Sequence, residues 1–166
     1  MGGTTAVRVT VSPLAQADTP VIADLARRIW PAAYAGILTD EQIANLLLRI
    51  YGEENLRREM ADGHRFWAAY ENAQPVGYAS AYKDDGIIWL KKLYVLPDRQ
   101  GRGIGKKLID AAVAALRPAR ELRLLVNGDN LPAQRFYAKT GFTCIGEMPV
   151  RMGDFAFTDR VFSKPL

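Results

Sequence analysis

A strand, a glycine-rich loop and a helix follow one another near the middle of this chain, and this order constrains the fold more than any other feature. An apolar run at residues 87–96 is typical of a strand, and Pro97 ends it. Apolar residues then recur at helical spacing from Leu108. Between them lie three glycines and four basic residues: Gly101, Gly103, Gly105, Arg99, Arg102, Lys106 and Lys107. Glycines let backbone N–H groups converge and the helix N-terminus adds positive charge, so the loop is predicted to bind phosphate, although a simple tight turn would also need glycines.

Two common nucleotide-binding loops fit this segment poorly. A dinucleotide-binding loop has the spacing G-x-G-x-x-G, and here the third glycine comes one residue early. It also needs an acidic residue at the end of the next strand, where this chain has Val126 and Asn127. A P-loop needs Ser or Thr after its Gly-Lys pair, and here Lys107 follows.

Two motifs resemble those of a known enzyme family. The first is Gln100-x-x-Gly103-x-Gly105, directly after a strand. The second is N-x-x-A-x-x-F-Y-x-K-x-G-F, at residues 130–142. In this order, separated by a helix and a strand, they resemble the motifs of the GNAT superfamily of acyl-CoA-dependent N-acetyltransferases. As a pattern, the resemblance covers residues 76–144.

The resemblance implies both a fold and a cofactor. It implies one N-acetyltransferase domain over residues 1–166, of the α+β class, with a central mixed and mostly antiparallel twisted sheet of about seven strands flanked by helices. In this family the strand before the glycine loop and the strand after its helix splay apart. The cofactor, acetyl-CoA (coenzyme A), lies in that gap, and its pantetheine arm is hydrogen-bonded like an added strand.

The resemblance also implies candidate site residues. The backbone of Leu93, Tyr94 and Val95 would hold the pantetheine arm and the thioester. Asn130 would bond the cofactor arm, and Tyr137 would face the sulfur as the catalytic residue. The remaining cofactor-binding candidates form the loop, whose residues from 101 onwards would hold the pyrophosphate: Gln100, Gly101, Arg102, Gly103, Ile104, Gly105 and Lys106.

Tyr137 suits the role of proton donor to the leaving thiolate. An unperturbed tyrosine, with a pKa of about 10, is protonated at neutral pH, above a thiol at about 8.5. A backbone N–H near Leu93 is the candidate donor to the developing oxyanion. Without the resemblance, Phe136 and Tyr137 would be read as two core aromatic residues on a helix.

No residue is assigned as the base that deprotonates the amine. Some family members have a glutamate on the strand after the glycine-loop helix, where this chain has Leu125. Others have one on the strand before the loop, where residues 89–92 contain no carboxylate. The remaining candidates are ordered water or one of three unranked carboxylates: Glu41, Asp84 and Asp85. His64 has a suitable pKa, but its position beside Asp62-Gly63 indicates an exposed turn.

The segment 30–63 is expected to cover the acceptor site. Its residues 34–42 are similar to a branch of bacterial GNAT enzymes that includes polyamine acetyltransferases. It also has an acidic excess that would attract a cationic amine: Asp40, Glu41, Glu53, Glu54, Glu59 and Asp62. Helix starts favour acidic residues as well, so a small polyamine-like amine is weighed against a peptide N-terminus or lysine.

Composition limits the other function classes. The chain has 166 residues, a net charge of +4 and one cysteine, and none of its apolar runs is long enough to span a bilayer. Residues 1–5 show no signal segment, so a cytoplasmic protein without membrane contact is expected. We expect no metal site and no nucleic acid partner, while a homodimer is left open. The alternatives to an enzyme are a CoA-sensing regulatory domain and a small basic nucleic-acid-binding domain.

Periodicity and turn residues predict the remaining elements. Pro31 is expected to end the first helix, Thr39 and Gln42 to form a capping box at the second, and Cys144 to be buried. The predicted strands are 7–11, 65–70, 75–82, 87–96, 121–126, 142–148 and 155–162, and the predicted helices begin near residues 20, 40, 53, 104 and 130.

Overall fold

Residues 8–166 are described by the computed structural model, and they form seven β-strands and five α-helices. The strands are β1 (Val9–Leu14), β2 (Arg65–Glu71), β3 (Gln74–Asp84), β4 (Ile87–Val95), β5 (Glu121–Asn127), β6 (Thr143–Met152) and β7 (Phe155–Pro165). The helices are α1 (Thr19–Ala33), α2 (Asp40–Tyr51), α3 (Glu53–Ala61), α4 (Ile104–Leu116) and α5 (Leu131–Lys139). The predicted first strand starts at Val7, which lies outside the described residues, as does the segment 1–5.

The strands form one sheet in the order β1-β2-β3-β4-β5-β7-β6. β4 and β5 are parallel because α4 connects them, and the other neighbouring strands are antiparallel. This architecture confirms the predicted α+β fold with a mixed, mostly antiparallel sheet flanked by helices. None of the helices within residues 8–166 is long and apolar enough to cross a bilayer.

The two parallel strands separate halfway along their length. β4 pairs with β5 only from Ile87 to Leu90, opposite Glu121–Leu124. The register between β3 and β4 shifts at the same level, so that Lys91 is an extra residue on β4. Such a bulge bends its strand away from the regular ladder. The gap beyond Leu90 confirms the predicted splay.

Helices cover both faces of the sheet. A Cβ on Gly77 of β3 would meet Leu108 of α4, whereas the next residue, Tyr78, hydrogen-bonds Trp30 of α1 and Tyr51 of α2. Successive strand residues point to opposite faces, so α4 lies on one face and α1–α2 lie on the other. One cluster of buried apolar residues includes side chains from the sheet and from the helices on both faces.

Two local expectations about α1 and β6 are wrong. Pro31 lies inside α1, which continues to Ala33, because a proline in the last turn gives up only one helical hydrogen bond. Cys144 is exposed, because β6 is an edge strand and most of its side chains face solvent.

The capping box of α2 is confirmed: the amide of Gln42 donates to Thr39 Oγ1 at 3.1 Å, and the amide of Thr39 donates to Gln42 Oε1 at 2.9 Å.

Candidate active site

A cavity of about 620 Å³ lies at the gap between β4 and β5. Its walls come from α1–α3 on one side, from β4, β5 and α5, and from the hairpin of β6 and β7. Four residues singled out from the sequence line it: Leu93, Tyr94, Asn130 and Tyr137. Val95 and the glycine loop from Gln100 to Lys106 do not line this cavity.

β4 directs into the gap backbone groups that pair with no other strand. The amide of Leu96 donates to a β3 carbonyl at 2.9 Å, and hydrogen-bonded residues alternate along an antiparallel strand. Tyr94 therefore bonds β3 through its backbone, whereas Leu93 and Val95 direct their N–H and C=O groups away from β3. β5 does not pair with them, because its pairing with β4 ends at Leu90. An extended ligand can add to this edge as a strand would.

The glycine loop exposes the first turn of α4. Gly101 and Gly103 both have φ of 79°, a conformation that residues with a Cβ rarely adopt. Gly103 is the N-cap residue of α4, and the first helical bond runs from the Lys107 amide to its carbonyl at 3.1 Å. The three preceding amides of the helix have no partner within it, and they form an anion-binding end.

Side chains around the loop are partly paired within the protein. Arg99 Nε lies 3.1 Å from Glu71 Oε2, and Arg102 Nη1 lies 3.6 Å from the same oxygen. Lys106 pairs with Asp110 at 3.1 Å, and Gln100 Nε2 donates to the Val95 carbonyl at 3.3 Å. The positive charge at this end of α4 therefore comes from the backbone as well as from the side chains.

Gly105 has a packing role that the spacing alone does not show. A Cβ at this position would lie 3.1 Å from Phe136 Cζ. The missing side chain thus allows α5 to pack closely on the start of α4. This contact joins the two motifs, which are thirty residues apart in the sequence, on one side of the gap.

Tyr137 enters the cavity from α5. Its ring packs against Phe136, Phe142 and Phe162, with centroids 5.3, 5.4 and 6.2 Å away. Burial raises the pKa of Tyr137, so its hydroxyl is protonated at neutral pH. Asn130, at the N-cap of α5, accepts a hydrogen bond from the Ala133 amide through Oδ1 at 3.3 Å, which leaves its amide nitrogen available.

A family model described as an acetyltransferase (GNAT) domain matches residues 34–159. The chain belongs to the GNAT acetyltransferase family. It is therefore an N-acetyltransferase, and acetyl-CoA is the acetyl donor of its family, as the two motifs predicted. The GNAT fold also accounts for the gap between two parallel strands, which a continuous sheet would not leave.

Relatives and solved structures agree with this assignment. An uncharacterised N-acetyltransferase of Mycobacterium tuberculosis is 33% identical over 153 residues, which cover 90% of this chain and 98% of the relative. A spermidine N(1)-acetyltransferase of Thermoplasma acidophilum is 26% identical, over 81% of this chain and 88% of its own. The fold matches a crystal structure of the PaiA N-acetyltransferase of T. acidophilum in complex with coenzyme A, with a TM-score of 0.82 and 24% identity over 96% and 99% of the two chains.

Hydroxyl groups line the α1 side of this GNAT cavity. Tyr34, the C-cap residue of α1, and Tyr94 of β4 share a hydrogen bond of 2.7 Å between their hydroxyls. Trp30 packs against both rings and donates to the Tyr78 hydroxyl at 3.2 Å. Burial raises the pKa of Tyr34 and Tyr94, so this wall is neutral at physiological pH.

The carboxylates on the cavity wall are not those suggested by the sequence. Glu41, Asp84 and Asp85 are exposed and lie elsewhere, whereas Glu59 and Asp159 line the cavity. The sequence could have pointed to Asp159, because burial alternates along β7 and Asp159 lies on the same face as two phenylalanines.

His64 is also outside the cavity. It is half-buried, and its ring stacks on the Tyr82 ring with centroids 4.5 Å apart, so the predicted exposed turn is wrong.

Glu59 is held in a buried ion pair. Its Oε2 lies 2.7 Å from Lys92 Nζ, and its Oε1 lies 3.5 Å from Lys91 Nζ. Lys92 is only 5% exposed and also lies over the rings of Tyr51 and Phe66. Burial lowers the pKa of Lys92, and Glu59 opposes that change.

The acidic residues of the segment 30–63 do not form an acidic rim around this acetyltransferase cavity. Of the six, only Glu59 lines it, while Glu53 and Glu54 pair with Arg57 and Arg58 on the surface of α3. The ionised lining consists of four basic and two acidic side chains: Arg49, Lys91, Lys92, Arg151, Glu59 and Asp159. The cavity wall is therefore net positive, because helix starts rather than the site hold most of the acidic residues.

Proposed function

We propose that this protein acetylates a primary amine of a small molecule, by direct attack of the amine on acetyl-CoA with both substrates bound. One observation carries the proposal: the unpaired backbone edge of β4 and the Tyr137 side chain meet in the same cavity. The cavity is a concave site whose lining combines aromatic and aliphatic side chains with six charged ones, and such a site suits a small acceptor better than a folded protein surface.

The chain offers a separate contact for each part of the cofactor. The backbone of Leu93 and Val95 would bond the pantetheine arm, with Tyr94 supporting it through its side chain. Asn130 would donate its free amide to the same arm. The pyrophosphate would bind at the start of α4, where the N–H groups from Gly103 to Lys106 are free of helical partners.

Tyr137 is the proposed proton donor to the leaving group. The bound thioester supplies an activated carbonyl carbon, and the Leu93 amide would stabilise negative charge on its oxygen. The Tyr137 hydroxyl would give its proton to the departing sulfur and recover one from the acetylated nitrogen. Burial in a ring of phenylalanines holds the hydroxyl in place, so little reorganisation is needed during transfer.

Two acceptor types follow from different observations. A polyamine is favoured by the relatives named as spermidine and spermine acetyltransferases. An amine that also carries an acidic group is favoured by the positive cavity lining, in which Arg49 and Arg151 have no ion-pair partner within residues 8–166.

A thiol-release assay with acetyl-CoA and four acceptors tests the proposal. The acceptors are spermidine, γ-aminobutyrate, phenethylamine and a short peptide with a free N-terminus. We expect at least one small amine to be acetylated faster than the peptide. A peptide that exceeds all three small amines would overturn the small-molecule assignment, and coenzyme A binding without turnover on any acceptor would indicate a regulatory domain.

A further inference from the structure

Asp159 holds a position that the reaction described above does not use. It lies on β7, opposite Asn127 of β5, and its side chain lines the cavity that Tyr137 enters. It shares a strand face with Phe155 and Phe157, so an acidic group sits within an otherwise apolar stripe. Asp159 is half-buried, and even partial desolvation of a carboxylate is unfavourable unless the group has a partner or a function.

Two carboxylates line the cavity, and Asp159 is the one that has no ion-pair partner within residues 8–166. Glu59, the other one, is engaged by Lys92 and Lys91. Within residues 8–166, no side chain forms an ion pair or a side-chain hydrogen bond with Asp159. Burial raises the pKa of Asp159 above its ordinary value, which makes the carboxylate a better proton acceptor.

We propose that Asp159 binds the ammonium group of the acceptor and removes its proton, and this inference rests on the proposed transfer to an amine. An ammonium nitrogen has no free electron pair, so it must lose a proton before it attacks. That proton goes to the Asp159 carboxylate and then to solvent. The new bond joins the nitrogen to the acetyl carbon, the carbon–sulfur bond breaks, and the sulfur takes the Tyr137 proton. Tyr137 then recovers a proton from the nitrogen, which gives the neutral amide.

The surroundings of Asp159 set the expected pH dependence. The tyrosines that share its cavity are neutral at physiological pH, since burial raises the pKa of Tyr34, Tyr94 and Tyr137. The charged groups that line the same cavity from α2, α3, β4 and β6 are Arg49, Glu59, Lys91, Lys92 and Arg151. Protonation of Asp159 at acid pH removes the base, so activity should fall on the acid side.

The test measures kcat/KM between pH 6 and pH 10 for the wild type, for Asp159→Asn and for the control Asp154→Asn. The acceptor is the one of the four that the wild type acetylates fastest. Asp154 is exposed in the turn between β6 and β7 and lies outside the cavity lining. We expect Asp159→Asn to lose about 10²-fold at neutral pH and to recover as the pH approaches the amine pKa of about 10. Coenzyme A affinity, measured by calorimetry, should be unchanged and shows that the variant is folded.

The outcomes separate this inference from the proposed function. If kcat/KM falls in Asp159→Asn and recovers at high pH, while Asp154→Asn keeps the wild-type profile, the role of Asp159 as the base is supported. An equal pH profile in the wild type and Asp159→Asn overturns the role of Asp159 but leaves amine acetylation standing. A loss without pH rescue assigns Asp159 a structural role and also overturns the inference. A wild type that acetylates none of the amines overturns the proposed function, and Asp159 with it.

Discussion

The Tyr137 hydroxyl is positioned by packing, because three phenylalanine rings surround its side chain. The same burial raises its pKa, so the side chain is a hydrogen donor over the whole physiological range. The packing of the ring, and not an activating neighbour, therefore places this hydroxyl as a hydrogen donor.

We predict that Tyr137→Phe lowers turnover by about 10²-fold and leaves coenzyme A affinity nearly unchanged, because the ring and its packing are kept while the proton is lost. Steady-state kinetics and calorimetry measure the two effects. Tyr70→Phe, a change on β2 outside the cavity, is the matched control. Wild-type turnover in Tyr137→Phe, with chemistry shown to limit the rate, would refute the proton-donor role.

Gly103 is a second residue whose role follows from its conformation. Its φ is 79° and no atom lies within 4 Å of an added Cβ, so a side chain would strain the backbone without clashing inside the protein. We predict that Gly103→Val weakens coenzyme A binding at least tenfold, or about 1.4 kcal/mol, because the amides proposed to bind the pyrophosphate move.

The control for this prediction is Gly63→Val. Gly63 has φ of 99° and equally open space, but it lies in the turn between α3 and β2. Both variants should lose similar stability, and only Gly103→Val should lose cofactor affinity in calorimetry. Equal affinities in the two folded variants would remove the phosphate-binding role of the loop.

At the scale of elements, the buried ion pair between Glu59 and Lys92 joins α3 to β4 beside the gap. Replacing one member of such a pair leaves the other charge buried without compensation. We predict that Glu59→Gln destabilises the protein by roughly 3 kcal/mol at neutral pH, measured by urea unfolding. Glu53→Gln, which breaks an exposed pair on the same helix, should cost less than about 0.5 kcal/mol.

The sign of the pH dependence follows from Lys92. Burial lowers its pKa in the folded state, so the unfolded state binds more protons, and folding improves as the pH rises through the folded pKa towards about 10.5. Without Glu59 the folded pKa falls further. The loss of unfolding free energy in Glu59→Gln should therefore become smaller between pH 7 and pH 9.5. A loss that grows with pH would contradict the claim that the variant leaves the Lys92 charge buried without a partner.

At the scale of the whole molecule, the charge distribution leads to a prediction about the proposed acceptors. The net charge is +4, and the cavity lining is itself net positive. Raising the ionic strength from about 0.01 M to about 1 M shortens the screening length from about 30 Å to about 3 Å. We predict that kcat/KM then rises for spermidine, a polycation, and changes less for γ-aminobutyrate, a zwitterion without net charge. A fall for spermidine would show that exposed acidic residues, and not the lining, guide the acceptor.

The glycine loop, the α5 motif and nearly every element could be predicted from the sequence, because they depend on local periodicity, capping and turn residues. Thr39 and Gln42 form their capping box from side chains three residues apart, so no distant contact is needed. Cys144 was mispredicted, since its burial depends on which strand ends the sheet.

The elements, the family and the two motifs could therefore be read from the sequence. Which charged side chains line the cavity depended on the tertiary structure. Glu59 and Asp159 are a hundred residues apart, and they share one cavity because β7 inserts beside β5 and α3 packs near β4. Local pattern encodes how a segment folds, whereas the neighbours of a side chain across the sheet depend on strand order, and strand order is fixed by the packing of the whole core.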